Sequence, residues 1–278
     1  MSLRRVDLVM AAKEARLPDG AVVRRALPQI RRRLVGPFCF LDHMGPGAYS
    51  PERPVAVPPH AHVGLATVTW LFEGELEHRD SLGTRQRIVP GEVNWMSAGR
   101  GIVHEERSLP GAAGTLHGIQ SWVAQPDRTR EGPPAFAHHD GLPRWEAEGV
   151  GLVLVAGTLE GRASPVALEH PTLHAELCFE AASRIGLAVD PAFELALYVA
   201  EGEVEMQGAS VPAGTLAISD PGAGPLELAS AIGGRAVLVG GAPLGEPVVM
   251  FDNYVGRDPR ALREAHEAFL RGELGRID

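Results

Sequence analysis

Four residues in the first half of this 278-residue chain have the types and spacing to hold a metal ion: His60 and His62 in "PPHAHVG", and His104 and Glu106 in "GIVHEERS". Successive side chains of a β-strand point to opposite faces, so residues i and i+2 share one. His60 therefore projects with His62, and His104 with Glu106. Two facing strands of a barrel would bring three imidazoles and a carboxylate to one point. That donor set suits a first-row transition ion, with positions left open for water or substrate. Glu105 faces away by the same argument and is expected at the surface or in a salt bridge.

Such a site needs a rigid β scaffold, and the sequence supplies one. Glycine (33) and proline (23) punctuate short β-type runs, among them "ATVTWLFEGELEHRD", "HGIQSWVA", "GLVLVAGTLEG", "ELALYVAEGEVEMQG" and "GRAVLVGG". Many short strands between turn residues predict an antiparallel sandwich or barrel. A helix is expected only near the end. There Asp258 caps, Pro259 takes the first helical position, Leu262, Ala265, Phe269 and Leu270 form a stripe, and Gly272 marks the stop.

An internal echo sets the domain count. "LFEGELEHRD…IVPGEVNWMSAG" recurs as "YVAEGEVEMQG…VPAGTLAISDPG", with the two Glu-Gly-Glu turns starting at Glu73 and Glu201. Two copies of one barrel unit are the simplest reading, divided as 1–140 and 141–278. Moving 128 residues on from His60 and His62 lands on Ala188 and Asp190. The second copy is therefore expected to carry no metal.

Composition narrows the function classes. A formal charge of −9, with 45% hydrophobic and 22% charged residues, describes an ordinary globular chain. Apart from "RRALPQIRRR" there is no basic run, which argues against direct nucleic-acid binding. Only Lys13 of the 26 basic residues is a lysine, a skew expected of a GC-rich bacterial genome. Cys39 and Cys178 lie far apart in apolar segments and read as buried free thiols. The N-terminal apolar run is too short for a signal-peptide core, and no stretch approaches the ~18 residues of a spanning helix. These features predict a soluble, cytoplasmic protein, and two barrels in one chain make a monomer reasonable.

Several stretches carry a family likeness: "GPFCFLDHMGPG" (36–47), "PPHAHVGLATVTWLFEGELEHRDSLG" (58–83), "PGEVNWMSAGRGIVHEERS" (90–108) and "LHGIQSWVAQP" (116–126). In order and spacing the chain resembles the pirin family of two-barrel cupins. The second half is looser, marked by "LYVAEGEVE" (197–205), "LVGGAPLGEPV" (238–248) and Phe251-Asp252-Asn253-Tyr254. The resemblance implies an all-β chain of two tandem cupin-type jelly-roll barrels with a short C-terminal helix. It implies one divalent metal in the first barrel, held by His60, His62, His104 and Glu106. General cupins often place a ligand Glu four residues after the second His; that position is Ala66 here, which leaves Glu106 as the carboxylate. Relatives tend to have tryptophans before the Asn of the final motif, where this chain has "VVMFDNYV".

Iron(II) is the metal the resemblance favours; Mn, Ni, Co and Cu suit the same donors. The implied activity is that of flavonol 2,3-dioxygenases (quercetinases), in which a quercetin-like aromatic substrate and O₂ react, the central ring opens and carbon monoxide leaves. Glu106 would be the base. Two other classes stay open on this scaffold: a non-catalytic iron-binding co-regulator acting through a protein partner, as animal pirins are described, and a small-metabolite isomerase. Further expectations attach to single residues. His78 and His117 read as hydrogen-bonded structural histidines, and His138 and His139 as surface residues of an inter-barrel connection. Asp42 and His43 read either as partners of metal-bound imidazoles or as parts of a tight turn. Gln120 reads as a barrel-lining hydrogen-bonder, and Phe38, Phe40, Met44 and Trp70 as candidates to hold flat rings.

Overall fold

The structure, a computed structural model, describes residues 2–17 and 20–277. It is built almost wholly from antiparallel strands, with one helix, and divides into two compact units.

The first unit takes in Asp42–Asp140 and the segment from Gly245 onward. Its main strands, in chain order, are β1 (Phe38–Tyr49, entering the unit at Asp42), β2 (Ala56–His62), β3 (Leu65–Glu73), β4 (Leu76–Asp80), β5 (Arg85–Ile88), β6 (Val93–Ser97), β7 (Ile102–Arg107), β8 (Gly114–Ala124) and β9 (Ala135–His139). One sheet runs β9-β6-β3-β8-β1 and the other β2-β7-β4-β5, the double-sheet arrangement of a jelly roll. Alternate residues of β3 turn inward: Leu71 joins Leu76, Ile88, Leu116 and Tyr49 in an apolar cluster, while Thr69 reaches the polar end.

The second unit takes in Arg24–Leu41 and Gly141–Leu244, with N-terminal residues up to Lys13. Its main strands are β10 (Val150–Ala156), β11 (Thr172–Phe179), β12 (Ser183–Leu187), β13 (Glu194–Met206), β14 (Thr215–Ser219), β15 (Leu226–Ser230) and β16 (Gly234–Gly241). The sheet order β14-β13-β16-β11-β10 is joined by the pair β12-β15. Inward positions are filled by apolar side chains, including Leu154, Leu177, Leu187, Leu197, Met206 and Leu238.

The repeat read from the two Glu-Gly-Glu turns has a structural basis. Gly74 and Gly202 both have φ near +70 to +90°, and an added Cβ would lie 2.3 Å from the Thr115 carbonyl and 2.2 Å from the Gly233 carbonyl respectively. Each barrel therefore bends its strand at a point where only glycine lets the neighbouring backbone approach.

The units differ from a division at 140/141 at both ends of the chain. Arg24–Leu41 belongs with the second unit, where Arg32 pairs with Asp220 and the Gly36 amide donates to Glu194 at 2.7 Å. The C-terminal segment belongs with the first. It forms the hairpin β17 (Val249–Phe251) and β18 (Tyr254–Gly256), then α1 (Pro259–Leu270). Asp258 caps α1 by accepting from the Arg260 amide at 2.9 Å. Leu262, with Ala265 and Phe269 beside it, packs on Ala61 and Val103. Leu270 departs from the expected stripe: it sits about 100° around the helix from Phe269 and is 70% exposed. Among the described residues no helix is long and apolar enough to cross a membrane.

Candidate metal centre

The two histidine motifs lie on β2 and β7, which are hydrogen-bonded neighbours in one sheet rather than the facing strands expected. His104 stands directly opposite His60, and Ile102 opposite His62. Cross-strand neighbours on one face are close enough for side chains to meet. The His60 and His62 Nε2 atoms are 3.1 Å apart, and those of His62 and His104 are 3.0 Å apart.

Hydrogen bonds at the other ring nitrogens decide what those Nε2 atoms carry. His60 Nδ1 faces the Pro58 carbonyl at 2.8 Å, and His62 Nδ1 faces the Asn253 carbonyl at 3.0 Å. A carbonyl only accepts, so each Nδ1 bears the proton and each Nε2 a lone pair. His104 Nδ1 lies 3.3 Å from His78 Nδ1, and His78 Nε2 lies 3.1 Å from an Asp80 carboxylate oxygen. His78 thus donates to Asp80 through Nε2 and accepts from His104 through Nδ1. His104 Nε2 is a third lone pair. Three converging lone pairs repel one another unless a cation lies among them, and three nitrogens beside a carboxylate fit a divalent transition ion.

Electrostatics agree. Burial, with the neighbouring imidazoles, holds His62 and His104 well below the ordinary histidine range. His60 is lowered by burial too, against the opposing pull of the Pro58 carbonyl and the Glu106 and Asp252 charges. Neutral imidazoles are the form that ligates. His62 and His104 are buried while His60 is half-buried, so the approach from outside lies on His60's side.

Glu106 is placed by a β-bulge. His104 opposes His60, but two residues on Glu106 opposes Val57. One carboxylate oxygen accepts from the Thr69 hydroxyl at 2.9 Å, and that hydroxyl is 3.0 Å from the Gln120 side-chain amide. The Gln120 atom is its carbonyl oxygen, so the single Thr69 hydroxyl proton is shared between two acceptors, the Glu106 carboxylate and the Gln120 side chain. The three histidines form one group of ligand-type atoms within 4.8 Å of each other; Glu106 falls in a second such group, with His104 and His78. His104 is the residue the two share.

The other sequence candidates divide. Glu105 lies near Arg107 (3.5 Å) and Arg79 (4.0 Å), in salt bridges as expected. His43 and His117 pair through their Nε2 atoms at 2.7 Å, within β1 and β8, so Asp42 and His43 are buried strand residues, not a turn. His138 and His139 belong to the half-buried strand β9, and His138 bonds Asn94 at 2.9 Å. Among the proposed ring-holding residues only Met44 packs in the first barrel's interior cluster. Phe38 stands edge-on to His174 in the second unit, Phe40 lies under the Arg25 guanidinium, and Trp70 is on the face of β3 opposite Thr69. Trp122, whose ring is 5.1 Å from that of His62, went unread although it alternates with Gln120 along β8. Thr69, Asp80 and the Asn253 carbonyl carry no sequence signal of their own.

Comparison with known proteins follows the same lines. The Pirin family model matches residues 20–123, and that of the pirin C-terminal cupin domain matches 174–275. A Pseudomonas aeruginosa protein provisionally named a quercetin 2,3-dioxygenase is 42% identical over 97% of this chain and 86% of its own. The crystal structure of a quercetin 2,3-dioxygenase from Acinetobacter baumannii superposes with a TM-score of 0.93 at 33% identity, covering 97% of this chain and 91% of that one. A bacterial pirin from Escherichia coli, solved in complex with nickel(II), shares the fold at a TM-score of 0.66 and 16% identity, over 85% of this chain and 100% of that one.

Proposed function

The chain belongs to the pirin family of two-barrel cupins, and from that premise we propose that it is a metal-dependent dioxygenase that cleaves a flavonol of the quercetin type with O₂ and releases carbon monoxide. The observation that carries the reading is the convergence of three imidazole lone pairs beside a hydrogen-bonded carboxylate.

His60, His62 and His104 would hold one divalent ion, iron(II) by preference, with Glu106 as the carboxylate donor. When bound, that ion acts as a Lewis acid that lowers the pKa of the flavonol 3-hydroxyl and brings substrate and O₂ together. Everything else is done by the chain. Glu106 accepts the 3-hydroxyl proton as general base; the Thr69 hydroxyl, 2.9 Å from one of its oxygens, positions the carboxylate. The Trp122 indole, edge-on to His62, offers an apolar wall to a flat ring. Deprotonated substrate and one O₂ yield the ring-opened ester and one CO, which balances the atoms without a further reductant.

The test is an aerobic quercetin assay on metal-stripped protein reconstituted separately with Fe(II), Mn(II), Ni(II), Co(II) and Cu(II). Loss of the flavonol absorbance band with CO release, abolished in His104→Ala, is the expected result. His60→Ala and His104→Ala are expected to lose most bound metal while remaining folded, by circular dichroism and metal analysis, because the apolar clusters lie apart from the histidines. Stoichiometric metal without turnover would overturn the dioxygenase and favour a metal-dependent regulator.

A further inference from the structure

Beyond the three histidines, a fourth is tied to the site by a route the proposed chemistry does not use. His78 on β4 is buried, as are Asp80 and His104. β4 pairs with β7 so that His78 stands opposite Glu106 and Asp80 opposite His104. The Phe136 ring stacks on His78, with centroids 4.5 Å apart at 24°, which fixes the plane of its imidazole. The second Asp80 oxygen accepts from the amides of Leu82 (2.9 Å) and Thr84 (3.1 Å) in the turn that follows β4. Burial raises the Asp80 carboxyl, but bonds from His78, Thr84 and Leu82 outweigh it and hold the group below the usual carboxylate range. The carboxylate is therefore held in place with its other oxygen 3.1 Å from His78 Nε2, toward which it can only accept.

We propose that Asp80 and His78 form a carboxylate–imidazole relay that fixes the tautomer of His104 and makes its Nε2 a stronger metal donor. The argument is one of proton bookkeeping. Asp80 accepts from His78 Nε2; of the two Nδ1 atoms facing each other at 3.3 Å one must donate and the other accept; with His78 donating through Nε2, its Nδ1 accepts and His104 Nδ1 donates. Only then is His104 Nε2 free to donate. His60 and His62 are fixed by backbone carbonyls, which a substitution cannot remove, whereas His104 depends on side chains. His78 and Asp80 are thus positioning residues, acting on the metal through His104. Partners of this kind typically change metal affinity 10- to 100-fold when removed.

The inference rests on reading the three-histidine group as a metal site, and its test separates the two. Long-range ¹H–¹⁵N correlation on histidine-labelled, metal-free protein reads the tautomers without substitution. The expected pattern is a proton on Nδ1 of His104 and on Nε2 of His78; the reverse at either ring overturns the relay. Co(II) affinity by chelator competition then reads its effect. His78→Phe keeps the ring but loses the acceptor and is expected to weaken Co(II) about 10- to 100-fold; His78→Gln restores an acceptor and is expected within about threefold of the parent. Asp80→Asn should fall between them. Parental affinity in His78→Phe, or equal loss in His78→Gln, overturns the role. If His78→Phe does not fold, the tautomer pattern and the Gln and Asn variants decide. If the parent itself fails to bind Co(II), the metal reading falls while the tautomers still judge the relay.

Discussion

A neutral imidazole is useful here because it is denied a proton, and the chain does this at several buried positions. Glu106 is the complementary group in the proposed chemistry, the carboxylate that would take one. Glu106→Gln keeps the Thr69 bond but removes the basic oxygen. It is expected to retain part of the bound metal and lose at least ~100-fold in kcat, measured by metal content and flavonol turnover. Near-normal turnover would remove Glu106 as base. His174 on β11 shows the cost of the same strategy away from the site. Both its ring nitrogens lack partners among the described residues, and burial pushes it down to about 3 from 6.5. Below pH 6.5 the unfolded chain takes up a proton that the folded chain refuses, so stability falls as pH drops from about 6.5 toward 3. At pH 5 the loss is about 2 kcal/mol. His174→Leu is expected to shrink the stability gap between pH 7.5 and pH 5 by that amount in denaturant unfolding of the second unit; an unchanged gap would mean the imidazole is not held neutral.

Strands were legible because their side chains alternate, and the helix because its cap and stripe agree. Pairing was not legible. His60 and His104 could be assigned to one site from residue type, yet nothing local distinguishes facing strands from neighbours, since register depends on residues of both. The bulge that turns Glu106 toward Thr69 is similarly invisible, because it is a mismatch between two strands. Phe38 and Phe40 look like barrel-lining aromatics by type, but the chain crosses to the second unit before Asp42. Glycine was the better guide. Gly74→Ala and Gly202→Ala each force a Cβ against a backbone carbonyl at positive φ, so each is expected to cost about 2–4 kcal/mol, seen as a lowered Tm confined to its own unit. Tolerance at both positions would undo the structural equivalence of the two turns.

At the scale of the molecule, the order of segments along the chain does not match their grouping in space. The helix was expected with the second barrel because it follows it, but the apolar patch of Ala61 and Val103 on the first barrel is what buries Leu262. Sequence adjacency gave the wrong owner, and the stripe on α1 could not say which surface it fits. Leu262→Ala is expected to destabilise this docking by about 2–4 kcal/mol. Because the attached hairpin presents the Asn253 carbonyl to His62, it should also weaken metal binding. Unfolding monitored with and without Co(II) tests both; unchanged affinity despite the lost stability would show that the hairpin holds its place without the helix.

The bond from His62 to the Asn253 carbonyl spans 191 positions of sequence. All three converging histidines precede residue 105; the acceptor that orients one of them comes 149 positions after His104. A nascent or prematurely terminated chain thus exposes the donors before the group that aims His62 exists. An ion held in the proposed geometry would therefore depend on a hairpin remote in sequence as much as on the histidines themselves.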